Sequence, residues 1–429
     1  MKIAAAGDAI IQRRIQESFP GYKEISPFIK EADASFFNLE TTLNKIGECP
    51  ASQFSGGTYI RCEPECLLDV MDFGFNMTSF NNNHALDFSY EGLDLTLSYL
   101  DESGITHAGV GRNLAEASMP KYLDTGAGRV ALIAVNSSFD PSMMAGEASP
   151  LFPGRRGING LRLNKYITLP EHELKFIRDI AKKTNINAQK EITRREGYFP
   201  PLAQDTAELG ELKFKLSDKE SFVMEVESCD TERVRTAIYE ASLQADYVIV
   251  SVHSHQISGD AKECPAEFLV KFAHDCIDFG ANAVIGHGPH LLRPIEIYKD
   301  SPIFYSLGDF ILELYSVPAA PADFFRKQKM SPDETVHDLL KKRSKNFTVG
   351  LMEDKRMFMS VIPRWEVEDG KLKNIELLPI MLNMDGTKSD IGLPRVGGGK
   401  EIFEYLREMS LPYGTEMELS HDGLIRIKL

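Results

Sequence analysis

Asp8, Glu40, Asn83, His84, His253, His287 and His290 each follow a short apolar run, at the point where a predicted strand gives way to a loop or helix. His287 and His290 are separated by Gly288-Pro289, a spacer too constrained for a helix, so the pair reads as a rigid loop presenting two neutral nitrogen donors. Two carboxylates, an amide and several imidazoles make a mixed oxygen and nitrogen donor set, suited to Mn, Fe, Zn or Mg with no thiolate. One or two such ions can activate a water and hold both the attacking and the leaving oxygen of a phosphoryl transfer. Taken singly, each residue also has a plainer reading, as a strand cap or an asparagine-rich turn. Their regular placement favours the site, because a parallel sheet gathers its strand ends along one edge.

The elements that must position these residues follow from hydropathy. Residues 2–6 are predicted as a strand ended by the Gly7-Asp8 turn, and residues 11–30 carry helical spacing at Ile11, Ile15 and Phe19 before a Pro20-Gly21 break. Residues 34–39 form a second strand, placing Asn38 and Glu40 at its end. Residues 74–80 lead into the asparagines at 81–83, then a helix over 90–100 stopped by Gly104. Further strands are predicted over 129–135, 245–252 and 282–285, with a helix at 268–279 delivering the chain into His287 and His290. A strand over 302–305 ends in the glycine turn before Asp309. Residues 170–245 read as a polar helical insertion rather than a separate catalytic domain, and 317–345 as a loop with one helix that can act as a lid. The tail at 347–429 alternates as strands, then passes through Gly397-Gly398-Gly399 to a terminal helix and strand. Arg13, and Arg156, Asn159 and Arg162 in a glycine-loosened loop, are candidates for clamping an anionic substrate, since a guanidinium matches carboxylate or phosphate in a bidentate way. Solvated surface charge is the competing reading.

Composition bounds the function. The chain has 429 residues, 43% hydrophobic and 26% charged, with a formal net charge of −15. Without a basic block, nucleic acid and anionic membrane surfaces are excluded as main partners. No apolar run reaches transmembrane length and no secretory leader is evident, so a cytoplasmic protein is expected. Six scattered cysteines are too sparse for a disulfide scaffold and fit no paired-cysteine zinc knuckle, so free thiols are expected.

A family resemblance rests on Gly7-Asp8 with Arg13, Asn38-Leu39-Glu40, Asn82-Asn83-His84-Ala85-Leu86-Asp87, Arg156-Gly157-Ile158-Asn159-Gly160-Leu161-Arg162, His253, Gly286-His287-Gly288-Pro289-His290 and Tyr305-Ser306-Leu307-Gly308-Asp309-Phe310. Together these resemble the CapA family of capsule or poly-γ-glutamate synthesis proteins, relatives of the calcineurin-like metallophosphoesterases, over most of residues 1–310. The resemblance implies an α/β fold: a four-layer αββα sandwich of the metallo-dependent phosphatase type, one domain over 1–429 with the helical insertion and a β-rich C-terminal tail. It implies Asp8, Glu40, Asn83, His253, His287 and His290 as metal ligands, and His84 with Asp87 as catalytic residues, His84 being the general acid. Three positions depart from the pattern. Ile10 stands where the phosphoesterases carry a histidine ligand, Ser254-His255-Gln256 replaces Trp-Gly and a glutamate, and Asp309 replaces an asparagine. His255 and Asp309, with Asn38 and Asn82 beside the core set, either restore ligands or alter substrate contacts.

Two functions follow from this reading. One is a metal-dependent hydrolase of a phosphoester or related anionic bond, linked to capsule or poly-γ-glutamate metabolism. The other is a non-catalytic factor that binds the anionic polymer during its assembly.

Overall fold

The computed structural model describes residues 1–314, 317–350 and 353–429. Its first apolar run forms the strand Lys2–Ile10, buried almost throughout. This strand pairs in parallel with Ala34–Leu39 and with Asp309–Leu312, and antiparallel with Met359–Glu368. Met77–Ser79 and Thr106–Ala108 extend one side in parallel. The C-terminal strands Lys371–Leu382, Ile425–Ile427 and Met417–Leu419 extend the other side antiparallel, within a ten-stranded sheet. A second, six-stranded sheet has Gly128–Asn136, Tyr247–His253, Ala283–His287 and Ser301–Phe304 in parallel, flanked by the antiparallel strands Lys121–Thr125 and Ile295–Tyr298. Parallel strands buried on both faces need continuous apolar side chains, which is why they are legible as apolar runs.

Alternate residues of both sheets meet in one apolar core, with Ile3, Ala5 and Phe36 from the first and Leu132, Ile249 and Ile285 from the second. A second core lies where Ile25 and Ile29 of the helix Pro20–Lys30 and Leu93 and Leu100 of the helix Ser89–Ser103 meet Ile10 and Phe37. The fold is therefore mixed α/β, with several sheets and, among the described residues, no barrel. Trp365 ties the C-terminal strands into this core, fully buried with its indole N–H donating to the Tyr247 hydroxyl at 2.8 Å. Trp365→Phe should therefore destabilise the fold by about 2–3 kcal/mol, from a lost buried hydrogen bond and lost volume, as read by urea unfolding.

The structure differs from the sequence expectations at several places. The first strand does not stop at Gly7-Asp8 but runs to Ile10, with register shifts on either side of Asp8. Such bulges re-aim a side chain without ending the strand. No helix covers residues 11–19; the helix begins at Pro20, whose missing N–H costs nothing in the first turn. A compact unit, Arg162–Asp230, overlaps the stretch 170–245 read as a polar helical insertion, and begins and ends earlier than it. It holds the helices Glu171–Thr184 and Ala188–Arg195, and also a four-stranded sheet of Leu163–Leu169, Thr206–Leu209, Leu212–Leu216 and Ser221–Val226. Its strands are short and largely exposed, so their hydropathy signal is weak.

The segment at 317–345 carries two helices, Ala322–Lys327 and Val336–Arg343, rather than one. Phe324, Phe325 and Leu339 bury against Tyr59 and Phe88 and anchor it. All six cysteines are free thiols. Among the described residues, no helix is long and apolar enough to cross a membrane.

Candidate metal centre

The strand ends of the two sheets bring the chemistry together. Asp8, Glu40, His84, His253, His287 and His290 are all buried, with Asp8, Glu40 and His253 at 0% exposure. His253 and His287 are register partners on adjacent parallel strands, and their Nδ1 atoms face each other at 2.9 Å. Asp8 Oδ1 lies 3.5 Å from His287 Nδ1. His253 Nε2 faces His255 Nε2 at 3.1 Å and Glu40 Oε1 at 3.7 Å. At the other end, His290 Nδ1 is 2.9 Å from Asp309 Oδ1, 3.9 Å from Asp8 Oδ2 and 4.0 Å from Glu40 Oε2. Three sets offer donor atoms within 4.8 Å of one another: Asp8, His253 and His287; Glu40, His253 and His255; Asp8, His290 and Asp309.

Local backbone explains the convergence. Gly288 adopts φ +111° and His290 φ +60°, left-handed conformations that turn the chain back on itself right after the strand. A methyl group at Gly288 would press on the His253 ring, 3.0 Å from Nε2. The Gly288 N–H instead donates to Asp8 Oδ2 at 2.8 Å, and the Asn38 amide donates to Asp8 Oδ1 at 2.7 Å. Ser251, two residues before His253 on the same strand, sits 2.6 Å from His287 Nε2, which leaves His287 Nδ1 turned to the cluster. That orienting serine was missed in the sequence because an apolar strand hides an inward hydroxyl.

His84 and Asp87 form a pair, Nδ1 to Oδ2 at 2.7 Å. Asp87 is fixed by the Ile60 and Gly56 backbone N–H groups at 2.9 and 3.1 Å. His84 Nε2 then faces Glu40 Oε1 at 3.9 Å. Asn82 holds the turn, its amide donating to the Leu39 carbonyl and its oxygen accepting from the His84 N–H. Asn83 donates to the Gly56 carbonyl at 3.1 Å.

The electrostatics are unbalanced. Burial, then the neighbouring Asp309, raises Asp8 to about 7. Burial, with Asp8 and Asp309, pushes Glu40 well above the usual carboxylate range. Burial holds His253 and His255 well below the ordinary histidine value and His287 at about 3, so all three are neutral donors. Burial also works against the His290 imidazolium, but the Asp309 and Asp8 carboxylates outweigh it and raise His290. Both oxygens of Glu40, Asn83 Oδ1, Asn38 Oδ1 and Asp309 Oδ2 are buried without a hydrogen-bond partner among the described residues. Orphaned buried oxygens beside neutral imidazoles fit a divalent cation, which satisfies both at once.

The candidate clamp residues lie elsewhere. Arg13 pairs with the buried Glu313 at 2.8 Å, and Arg156 pairs with Asp94. Arg162 belongs to the second unit, where it meets Asp230 at 2.8 Å. Asn159 is buried, donating to the Ala134 carbonyl and accepting from Arg233. A cavity of about 610 Å³ opens over the cluster, bordered by His84, His255 and His290 and by residues of 340–350.

The chain is similar to known proteins over much of its length. The y4sH protein of Sinorhizobium fredii (strain NBRC 101917 / NGR234) is 31% identical over 440 residues, covering 99% of this chain and 93% of its own. The capsule biosynthesis protein CapA of Bacillus anthracis is 20% identical over 319 residues, 73% of this chain and 60% of its own. A probable polyglutamine synthesis accessory protein of Mycobacterium tuberculosis (strain ATCC 25618 / H37Rv) is 28% identical over 282 residues, 65% of this chain and 55% of its own. The model of the bacterial capsule synthesis protein PGA_cap matches residues 2–313, a span that takes in all the side chains converging at the cluster. With that match over most of its length, the chain belongs to the PGA_cap family of bacterial capsule synthesis proteins.

Proposed function

We propose that this chain is a metal-dependent hydrolase of a phosphoester or related anionic bond, acting in capsule or poly-γ-glutamate metabolism. The observation that carries this reading is Glu40, whose two buried oxygens have no hydrogen-bond partner among four imidazoles and two further carboxylates. Two face-to-face sheets with helices outside support a four-layer αββα arrangement of the metallophosphatase type. Asp8, Glu40, Asn83, His253, His287 and His290 would hold one or two divalent ions, with His255 and Asp309 completing the two ends of the cluster where Ile10 offers no ligand. A divalent ion in such a donor set supplies charge neutralisation and activates water.

The chain's own residues do the rest. Asn38 and the Gly288 N–H hold the Asp8 carboxylate, and Ser251 holds the His287 ring at Nε2. The His84 Nδ1–H donates a hydrogen bond to Asp87, so that Nε2, when it too carries a proton, is the atom that delivers it to the departing oxygen. The Asp87 carboxylate stabilises the imidazolium that gives it. The assembly-factor reading has less support, since Arg13, Arg156 and Arg162 are each engaged by a carboxylate. The names of the Bacillus and Mycobacterium relatives support the polymer context.

Elemental analysis of the purified chain, with turnover of a generic aryl phosphate, tests the reading. The unaltered chain is expected to carry Mn, Fe, Zn or Mg. His287→Ala and His290→Ala should each lower metal content and turnover by about 100-fold or more. No bound metal and no metal-stimulated turnover in the unaltered chain would overturn it.

A further inference from the structure

The cavity over the cluster has a composition out of keeping with the chain. The protein carries 63 acidic against 48 basic residues, yet no described aspartate or glutamate lines this cavity, while Arg343 and Lys262 do. Ile10, Ile60, Leu314 and Leu340 supply apolar wall between them. At about 610 Å³ it is of the size that holds small ligands.

The geometry around Arg343 is specific. Its guanidinium donates to the Thr58 hydroxyl and lies over the Phe324 ring, 5.5 Å from the centroid. Among the described residues it has no carboxylate partner, unlike Arg13, Arg156 and Arg162. Gly56, Gly57 and Thr58 connect it to the proton donor. A methyl at Gly56 would fall 2.6 Å from His84 Nε2, and one at Gly57 would fall 3.9 Å from Arg343 Nη2. Three consecutive residues therefore span from His84 to the guanidinium, and the two glycines keep that span free of side chains. The helix Val336–Arg343 is seated by Leu339 in the apolar cluster with Tyr59 and Phe88, so Arg343 is held by packing at its helix's last turn.

We propose that Arg343, in a cavity that Lys262 also lines, binds a second oxyanion of the substrate, a carboxylate or phosphate separate from the bond presented to the metal cluster. A fork of guanidinium N–H groups suits either oxyanion, and the apolar residues that also line the cavity suit a carbon skeleton joining two anionic groups. The substrate class is thus a compound with two anionic groups rather than a simple monoester. This rests on the metal-hydrolase reading for the position of the first group but not for the existence of the second.

Isothermal titration of inorganic phosphate and, separately, of succinate into the full chain, with Mn²⁺ and after chelation, tests it. The unaltered chain should bind at least one of these probes saturably. Arg343→Ala should weaken that binding about 10-fold or more, and Arg343→Lys should restore part of it, because charge returns without the fork. The probe that depends more on Arg343 tells carboxylate from phosphate. Thermal unfolding of both variants should match the unaltered chain, since the replaced group sits at a cavity wall. Binding of neither probe to the unaltered chain, or equal binding to Arg343→Ala, would overturn the assignment. Failure to bind Mn²⁺ would instead count against the hydrolase reading, while the Arg343 dependence in the chelated protein would still decide this one.

Discussion

Glu40→Gln should bind divalent cations at least about 100-fold more weakly than the unaltered chain and yet make the metal-free protein more stable. The two effects have one cause. Glu40 is fully buried, its carboxylate oxygens have no hydrogen-bond partner among the described residues, and Asp8 and Asp309 lie close by. A cation turns that arrangement into strong coordination; in its absence the ionised carboxylate is a burden on the fold. The pH dependence follows from the direction of the shift. Glu40 is raised above its unfolded value, so its favourable contribution to the metal-free protein is complete below the unfolded value, near 4.5, and is lost as pH rises through the folded one. With chelator present, the unaltered chain should lose stability from mildly acid to alkaline pH more steeply than Glu40→Gln, and at pH 8 the variant should be more stable by about 1–3 kcal/mol. Urea unfolding at several pH values, with and without Mn²⁺, reads both effects. A variant that is less stable than the unaltered chain in chelator would mean that Glu40 serves the fold rather than a cation.

Gly7→Ala should prevent the native fold or destabilise it by more than about 4 kcal/mol. The added methyl would sit 1.7 Å from the Gly308 carbonyl oxygen and 2.9 Å from its carbon. Both are backbone atoms of the chain entering the neighbouring parallel strand, so no flexible side chain can move aside. The strand Lys2–Ile10 would have to separate from Asp309–Leu312, breaking the pairing that carries Asp8 beside Asp309. Metal content should fall with it. Gly104→Ala is the matched control: Gly104 caps the helix Ser89–Ser103 at φ +73° with open space around it, so only backbone strain of about 1 kcal/mol is expected. Circular dichroism and urea unfolding of the two variants separate crowding from conformational strain.

Sequence by itself determined a good deal here. Apolar runs located the four parallel strands of the second sheet and three of the first, but not the short strands Thr106–Ala108 and Asp309–Leu312; a strand buried on both faces tolerates few polar residues, and glycine stops located the ends of helices at Gly104 and Gly280. The order of Asp8, Glu40, His84, His253, His287 and His290 along those strand ends was legible for the same reason. The tertiary structure decided the rest. Asp8 lies inside its strand and reaches the cluster because pairing on both sides is bulged there, a feature of two neighbours that no local pattern records. His255 and Asp309 meet opposite ends of the cluster, on Glu40 and on Asp8, through contacts between residues hundreds of positions apart. Arg13, Arg156 and Arg162 looked alike as cations, but only folding reveals that each faces a carboxylate, whereas Arg343 faces the cavity. Hydropathy reports whether a side chain is buried; which charge it meets depends on what the fold places opposite it.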